Sequence, residues 1–420
     1  MAQVAWAVFL ALLLTTMLQT IVSPAPTRLR VTTPCDSAAQ LREIARSAAT
    51  SLSNALTTAL TQTQEASRLQ VIAATRSGYH GAGAAILAQA KQREAQKIVK
   101  ALENGASDIL SGIMAAGSLA GNQETLQELE STKIKDAALK TASAAVTDGT
   151  GTKITPELTT QTHGVCMKND ETRADTTIAD TAASPQPTVI LYTTTAATPG
   201  TNAGEDLTLC GSGSTSGTVT GRSSCTTGTA TGIEIKGGKL FKNQQVEAKL
   251  QTTGTAKAYS EVGSTTTIPS EKTIKRELAE ILKMQNAETA LQAATTETPI
   301  TTLATEHELK ELISKAIDGD DATYSDSKTT TKVDAFLKSA FGKNNEAVKN
   351  TIIKELNDLK PAKAAVGEDG NKQLSTITDP KELADAQIYY TVKSFIIEEE
   401  NKNKNQASPS CPTKTYKSAE

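Results

Sequence analysis

Between Asp36 and Thr75 the chain has no glycine and no proline, and its apolar residues fall at Leu41, Ala45, Ala48, Leu52, Ala55 and Ala59. Those alternating steps of four and three keep one stripe on one helix face, the seam of a coiled coil. Asp36 or Ser37 is expected to cap the start, since a side-chain oxygen there satisfies an orphan backbone N–H. A second helical run is expected from Ala84. Its seam reads Ala95, Ile98, Leu102, Ala106, Ile109, Ile113 and Ala116, continuing past Gly121 through Leu126, Leu129 and Ile134. A helix of about 40 residues is about 60 Å long. Two such helices joined by a short link lie antiparallel, and alanine in the seams lets them approach closely.

The link itself, "RSGYHGAGAA" from Arg76 to Ala85, holds Gly78, Gly81 and Gly83. A dinucleotide fingerprint needs G-x-G-x-x-G after a strand, and a Walker loop needs a following Lys-Ser or Lys-Thr. Here the order is G-x-x-G-x-G and a long helix precedes it. The glycines are therefore read as the turn of a helix hairpin, where glycine accepts a left-handed backbone.

Aromatic residues are only 3% of the 420, and small residues dominate. Such a chain packs helix on helix rather than building a roomy aromatic-lined pocket. A net charge of -3 argues against a nucleic-acid partner or an anionic-membrane surface, both of which need a basic face.

After about Ala145 the texture changes. Residues 146–268 are rich in Thr, Gly and Ser, with short β-branched pieces at "TVILYTTT" (188–195) and "TGIEIKGG" (231–238). This reads as an irregular lobe with a few short strands. Helical patterning returns over 270–400, at Ser270–Ala294, Glu306–Ile317, Val333–Phe341, Asn345–Leu356 and Pro380–Glu400. Tyr389 and Tyr390 are expected in the core of the last of these. The fold class expected is mainly α: an elongated bundle on a long antiparallel coiled-coil hairpin (36–140), with a disulfide-stapled lobe.

Residues 3–22 are apolar and uncharged and are followed by Ser23, Pro24 and Ala25. They read as a signal peptide, with 1–24 removed from the mature chain. An oxidising compartment makes disulfides the default. Cys35, Cys166, Cys210 and Cys225 allow three pairings, of which a short Cys210–Cys225 loop with a long Cys35–Cys166 link is favoured. Cys411 is left over in the polar stretch 401–420, which reads as linker. No N-x-[ST] sequon occurs, and the Thr- and Ser-rich lobe raises O-glycosylation.

Patterns for chemistry fail one by one. "EHELKE" (306–311) has Glu311 where a zinc helix needs a second histidine. His80, His163 and His307 lie far apart. "DGDDATYSDS" has Thr323 and Thr329 where a calcium loop needs glycine and glutamate. "GSGSTSG" has Thr215 at the nucleophile position. No catalytic, cofactor-binding or metal site is expected, and the chain is read as no enzyme.

A leader, a cysteine just before a very long helix, a glycine-bearing hairpin, a Thr/Gly-rich lobe with a cysteine about 130 residues after the first, and "LADAQIYYTVKSF" (383–395) occur in that order. In this the chain resembles the variant surface glycoproteins of African trypanosomes, with an A-type N-terminal domain over roughly 25–400. The resemblance implies a Cys35–Cys166 disulfide joining the first helix to the head lobe, and a Cys210–Cys225 pair. It implies a homodimer standing among neighbouring coat proteins, lobe outward and hairpin toward the membrane, shielding the cell and evading host antibodies by antigenic variation. It also implies a cysteine-rich C-terminal domain and a GPI anchor. Here 401–420 offers only the start of such a domain, and no anchor signal follows, so a truncated or secreted form is an expectation too. A receptor for a host serum factor on the same scaffold is the alternative. A pore-forming hairpin would need wider apolar faces than these narrow seams.

Overall fold

The structure, a computed structural model, describes residues 31–141, 146–147, 151–152, 157–159, 166–167, 188–197, 207–212, 232–253, 256–304, 306–367 and 371–406. The proposed leader, His163, Thr215, Cys225 and Cys411 lie outside the described residues.

Helix α1 (Pro34–Thr75) starts on a reciprocal cap. The Thr33 hydroxyl accepts the Asp36 N–H at 3.2 Å, and Asp36 Oδ2 accepts the Thr33 and Thr32 N–H groups, each at 3.0 Å. Thr33, not Asp36 or Ser37, is therefore the cap, and Pro34 fills the first helical position, where no N–H is needed. Ser37 is buried instead. Helix α2 (Gly78–Ser131) follows after Arg76 and Ser77 alone. It begins six residues before the expected Ala84, and Ile134 lies beyond its end.

Strands follow: β1 (Lys133–Ile134), β2 (Ala137–Thr141), β3 (Val146–Thr147), β4 (Gly151–Thr152), β5 (Leu158–Thr159), β6 (Thr188–Ala196), β7 (Thr208–Ser212), β8 (Gly232–Lys236), β9 (Gly238–Lys239), β10 (Phe241–Thr253) and β11 (Ala256–Tyr259). They pair antiparallel in the orders β5-β1-β9, β11-β10-β6, β2-β8-β7 and β3-β4. Helices return as α3 (Glu271–Thr295), α4 (Ile300–Leu303), α5 (His307–Asp318), α6 (Ser327–Phe341), a π-helical turn (Val348–Ile353), α7 (Lys354–Asp358), α8 (Lys363–Val366) and α9 (Pro380–Gln406). The expected helix at Asn345–Leu356 is thus a π turn running into a short α-helix. Asn344 and Asn345, both with positive φ, break the chain before it.

The chain divides into two compact units, Met1–Ser53 with Asn104–Ala290, and Asn54–Glu103 with Leu291–Glu420. In the first, Leu41, Ala48 and Leu52 of α1, Ile109, Ala116 and Leu119 of α2, and Ile274, Leu278, Ile281 and Met284 of α3 are buried. The α2–α3 contact is close because of glycine. A Cβ on Gly105 would sit 3.2 Å from that of Ala287, and one on Gly112 would overlap the Cβ of Met284. Gly112→Ala is expected to cost about 1–3 kcal/mol through overpacking. Urea denaturation measures this, and Met284→Ala in the same chain, which keeps the overlapping Cβ, should recover little of the loss.

In the second unit the core gathers Leu69 and Ile72 of α1, Leu87 of α2, Val333 and Phe341 of α6, and Ile352. Tyr389 and Tyr390 pack against it only partly buried, rather than inside it. The Tyr390 hydroxyl accepts the Ala362 N–H at 2.9 Å. Among the described residues, no helix is long and apolar enough to cross a membrane.

Candidate functional site: the anchored lobe and the hairpin turn

Strand β6 is the part of the lobe that meets the helices. One of its edges pairs with β10 over nine residues, from Thr188↔Lys249 to Ala196↔Phe241. Its other edge faces helices, whose backbones are already hydrogen-bonded, so its peptide groups need side-chain partners. Two glutamines supply them. Gln123 of α2 donates Nε2–H to the Tyr192 carbonyl at 3.1 Å and accepts the Tyr192 N–H on Oε1 at 2.7 Å. Gln40 of α1 accepts the Ile190 N–H at 3.0 Å and donates to the Thr188 carbonyl at 3.3 Å. Ser37 adds a bond to the Ile190 carbonyl at 2.6 Å. A primary amide has the same donor and acceptor pair as a peptide, so each glutamine acts as one residue of a missing neighbour strand. Thr194 completes the edge by exchanging both backbone bonds with Ile268.

Val31, Leu126 and Tyr192 form a small apolar cluster under this edge. The Tyr192 phenol is pushed above its ordinary range by burial first, then by the negative charges of Asp36 and Glu130. It stays protonated at neutral pH and lies 3.2 Å from Gln245 Oε1, to which it donates. Asn243 of β10 ties back to the Leu126 carbonyl at 3.1 Å and to Glu130 at 2.8 Å.

Cys35, in the first turn of α1, is joined to Cys166 with Cα atoms 5.3 Å apart. The bond links the helix start to the lobe across 131 residues of sequence. Cys210 lies in β7, paired opposite Glu234 of β8. Its expected pairing with Cys225 falls outside the described residues.

The three glycines of the turn do different jobs, all within the second unit. Gly78 alone has a left-handed backbone, φ 65°, which a side chain rarely adopts. Gly81 and Gly83 are helical and buried rather than part of the reversal. A Cβ on Gly81 would collide with the Arg76 carbonyl, and one on Gly83 would press on Ala340 and Phe341 at 3.2 Å. No phosphate cradle forms.

Glu355 of α7 closes the turn by accepting from Arg76 at 2.5 Å and from His80 Nε2 at 2.9 Å. Burial pushes its carboxyl up, but the bonds from Arg76 and His80 and their charges outweigh that, and the net shift is downward. A depressed carboxyl contributes stability above its unfolded value and loses it as pH falls through the folded value. Glu355→Gln should therefore flatten the loss of stability on acidification below pH 4.5, the ordinary value. Denaturation midpoints across that range read the effect.

His307 is exposed on α5, 3.6 Å from Glu311. Asp318 accepts from Thr329 at 2.8 Å and pairs with Lys332. Among the described residues no group of three ligating side chains is placed to hold a metal.

The sequence profile of the trypanosome variant surface glycoproteins (A-type) matches residues 30–391. The chain belongs to that family. It is a variant surface glycoprotein, a surface coat protein of a trypanosome, and the family's members are structural rather than enzymatic. Among curated proteins none matches. Among solved structures it is similar to the variant surface glycoprotein VSGsur bound to suramin, at 19% identity and a TM-score of 0.56, over 86% of this chain and 97% of that one. A second structure, of the variant surface glycoprotein VSGsur, gives 16% identity and a TM-score of 0.52 over the same shares. At such identities these likenesses speak to the fold, which is the expected helix hairpin carrying a disulfide-linked, short-stranded lobe.

Proposed function

We propose that this variant surface glycoprotein is an antigenically variable coat antigen that shields the trypanosome membrane and is exchanged to escape host antibodies. The observation that carries the reading is the family match across residues 30–391. In this reading residues 1–24 are a leader and 25–400 form the N-terminal domain. Residues 401–420 open the connection to a C-terminal domain and a GPI anchor. The protein acts as a homodimer among neighbouring copies, with the lobe outward and host antibodies as its partners. An outer lobe gripped through its backbone and a disulfide suits that role, since exposed loops on a rigid base tolerate sequence change.

The test is a trypanosome line whose coat is this protein. Antiserum to the purified protein should label unpermeabilised cells and kill them with complement. Cells switched to another coat should escape, and phosphatidylinositol-specific phospholipase C should release the antigen. Antigen found only in the medium, or killing unchanged by switching, would overturn the reading.

A further inference from the structure

Lysine is rarely buried, because its ammonium loses hydration that only close partners replace. Lys91 of α2 is 2% exposed. Its Nζ lies 2.8 Å from Glu65 Oε2 and 3.2 Å from Glu297 Oε1. One cation thus serves two carboxylates. The Glu297 carboxyl is held below its ordinary range by the hydrogen bond and charge of Lys91, against a smaller opposing effect of burial. Among the described residues, each glutamate keeps a second oxygen with no partner. Gln62, 4% exposed and 3.4 Å from Glu297, has an unpartnered Oε1 as well.

Lys91 and both glutamates line a cleft of about 290 Å³ within the second unit. Arg68 lines it too. Its Nε and Nη2 donate to the Ile377 carbonyl at 3.1 and 2.9 Å, which leaves Nη1 uncommitted. Ser375 adds a hydroxyl, and Leu69, Ile300, Ile353 and Leu356 add apolar wall. The four charged residues sum to zero. A ligand of one sign gains from one end of this set and is repelled by the other. A zwitterion with an apolar arm uses acceptors, donors and wall together. The volume lies at the small end of ligand pockets, which run from roughly 300 Å³ upward, and so suits a single amino acid.

The geometry points to a binding site for a free α-amino acid with a large apolar side chain. Its ammonium meets the open oxygens of Glu65 and Glu297, and its carboxylate meets Arg68 Nη1 and Ser375. Its side chain lies on Leu69, Ile300, Ile353 and Leu356. The site is independent of the coat role and survives or fails separately from it.

Calorimetry and thermal melting of the full chain with leucine test this. Isovalerate, isoamylamine and glycine serve as probes lacking the ammonium, the carboxylate and the apolar arm. Leucine should give saturable heat and a raised melting temperature, and the three controls should not. Arg68→Met and Glu297→Gln should each weaken leucine about tenfold, the effect of losing one charge-assisted contact. Glu297→Gln also removes one of the two carboxylates that compensate buried Lys91, so each variant's affinity and melting shift are read against its own unliganded protein. Absence of saturable binding by leucine, methionine and phenylalanine would sink the proposal. So would a response to isovalerate equal to that for leucine, or leucine binding unchanged in both variants.

Discussion

Replacing Cys35 and Cys166 together by serine should lower the stability of the first unit by about 4–5 kcal/mol. That is the chain-entropy cost for a loop of this length, since 131 residues separate the two. Cross-linking acts chiefly on the unfolded ensemble, where it forbids the lobe from drifting away from the start of α1. The loss should be local. Backbone exchange should speed up in β6 and β10 and in the first turns of α1, while amides of α5 to α7 in the second unit stay protected. Hydrogen exchange by mass spectrometry resolves the two units. Reductant added to the parent protein should reproduce the change in β6, β10 and the start of α1, because it breaks the same bond along with any other disulfide present. Equal protection of β6 in the parent and the double variant would show that the bond is redundant with the hydrogen bonds around it.

Gln123→Leu is the second large effect expected. The change keeps side-chain volume and adds apolar surface, so by transfer alone it should be harmless. It leaves the Tyr192 N–H and carbonyl, both bonded to Gln123 in a buried place, without partners. An unsatisfied buried polar group costs about 1–3 kcal/mol, so the pair should cost about 2–6 kcal/mol. Gln123→Glu adds a charge test: a carboxylate still accepts the N–H but sets an oxygen against the carbonyl and buries its charge, so it should be at least as unstable as the leucine variant at neutral pH. Gln40→Leu should cost less, because its bonds to β6 are only part-buried. Urea denaturation of the three variants orders them. A leucine variant as stable as the parent would mean that water or a shifted strand replaces the amide.

These two anchors were unequally legible in the sequence. Cysteine spacing and compartment favour the disulfide among three pairings, and the family resemblance implies it. The glutamines look like ordinary solvated helix residues, yet Gln123 falls between Ala120 and Leu126 of the buried stripe, three residues from each. Gln62 interrupts the stripe of α1 in the same way, between Ala59 and Ala66. A glutamine standing at a seam position was the available signal, and it marks a backbone that the helix must satisfy. Strand β10 escaped notice for a different reason. Its "QQVEAKLQ" reads as helix former by propensity, and pairing with β6 on one side and β11 on the other makes it a strand. The start of α2 was misplaced because three glycines within six residues look like a loop. Gly81 and Gly83 are there for close packing against Arg76, Ala340 and Phe341. For Gly83 that reason lies far along the chain, and no local pattern carries it.

The grip of Gln40 and Gln123 on β6 falls entirely on peptide groups. It is blind to what the residues at 190 and 192 are, proline excepted, since proline has no N–H to give. Substitutions in the strand therefore act through packing, at buried Val189, Leu191 and Tyr192, and not through this grip. The burden falls on two helical amides, one serine hydroxyl and one pair of sulfurs, and none of these reads the side chains of the strand it holds.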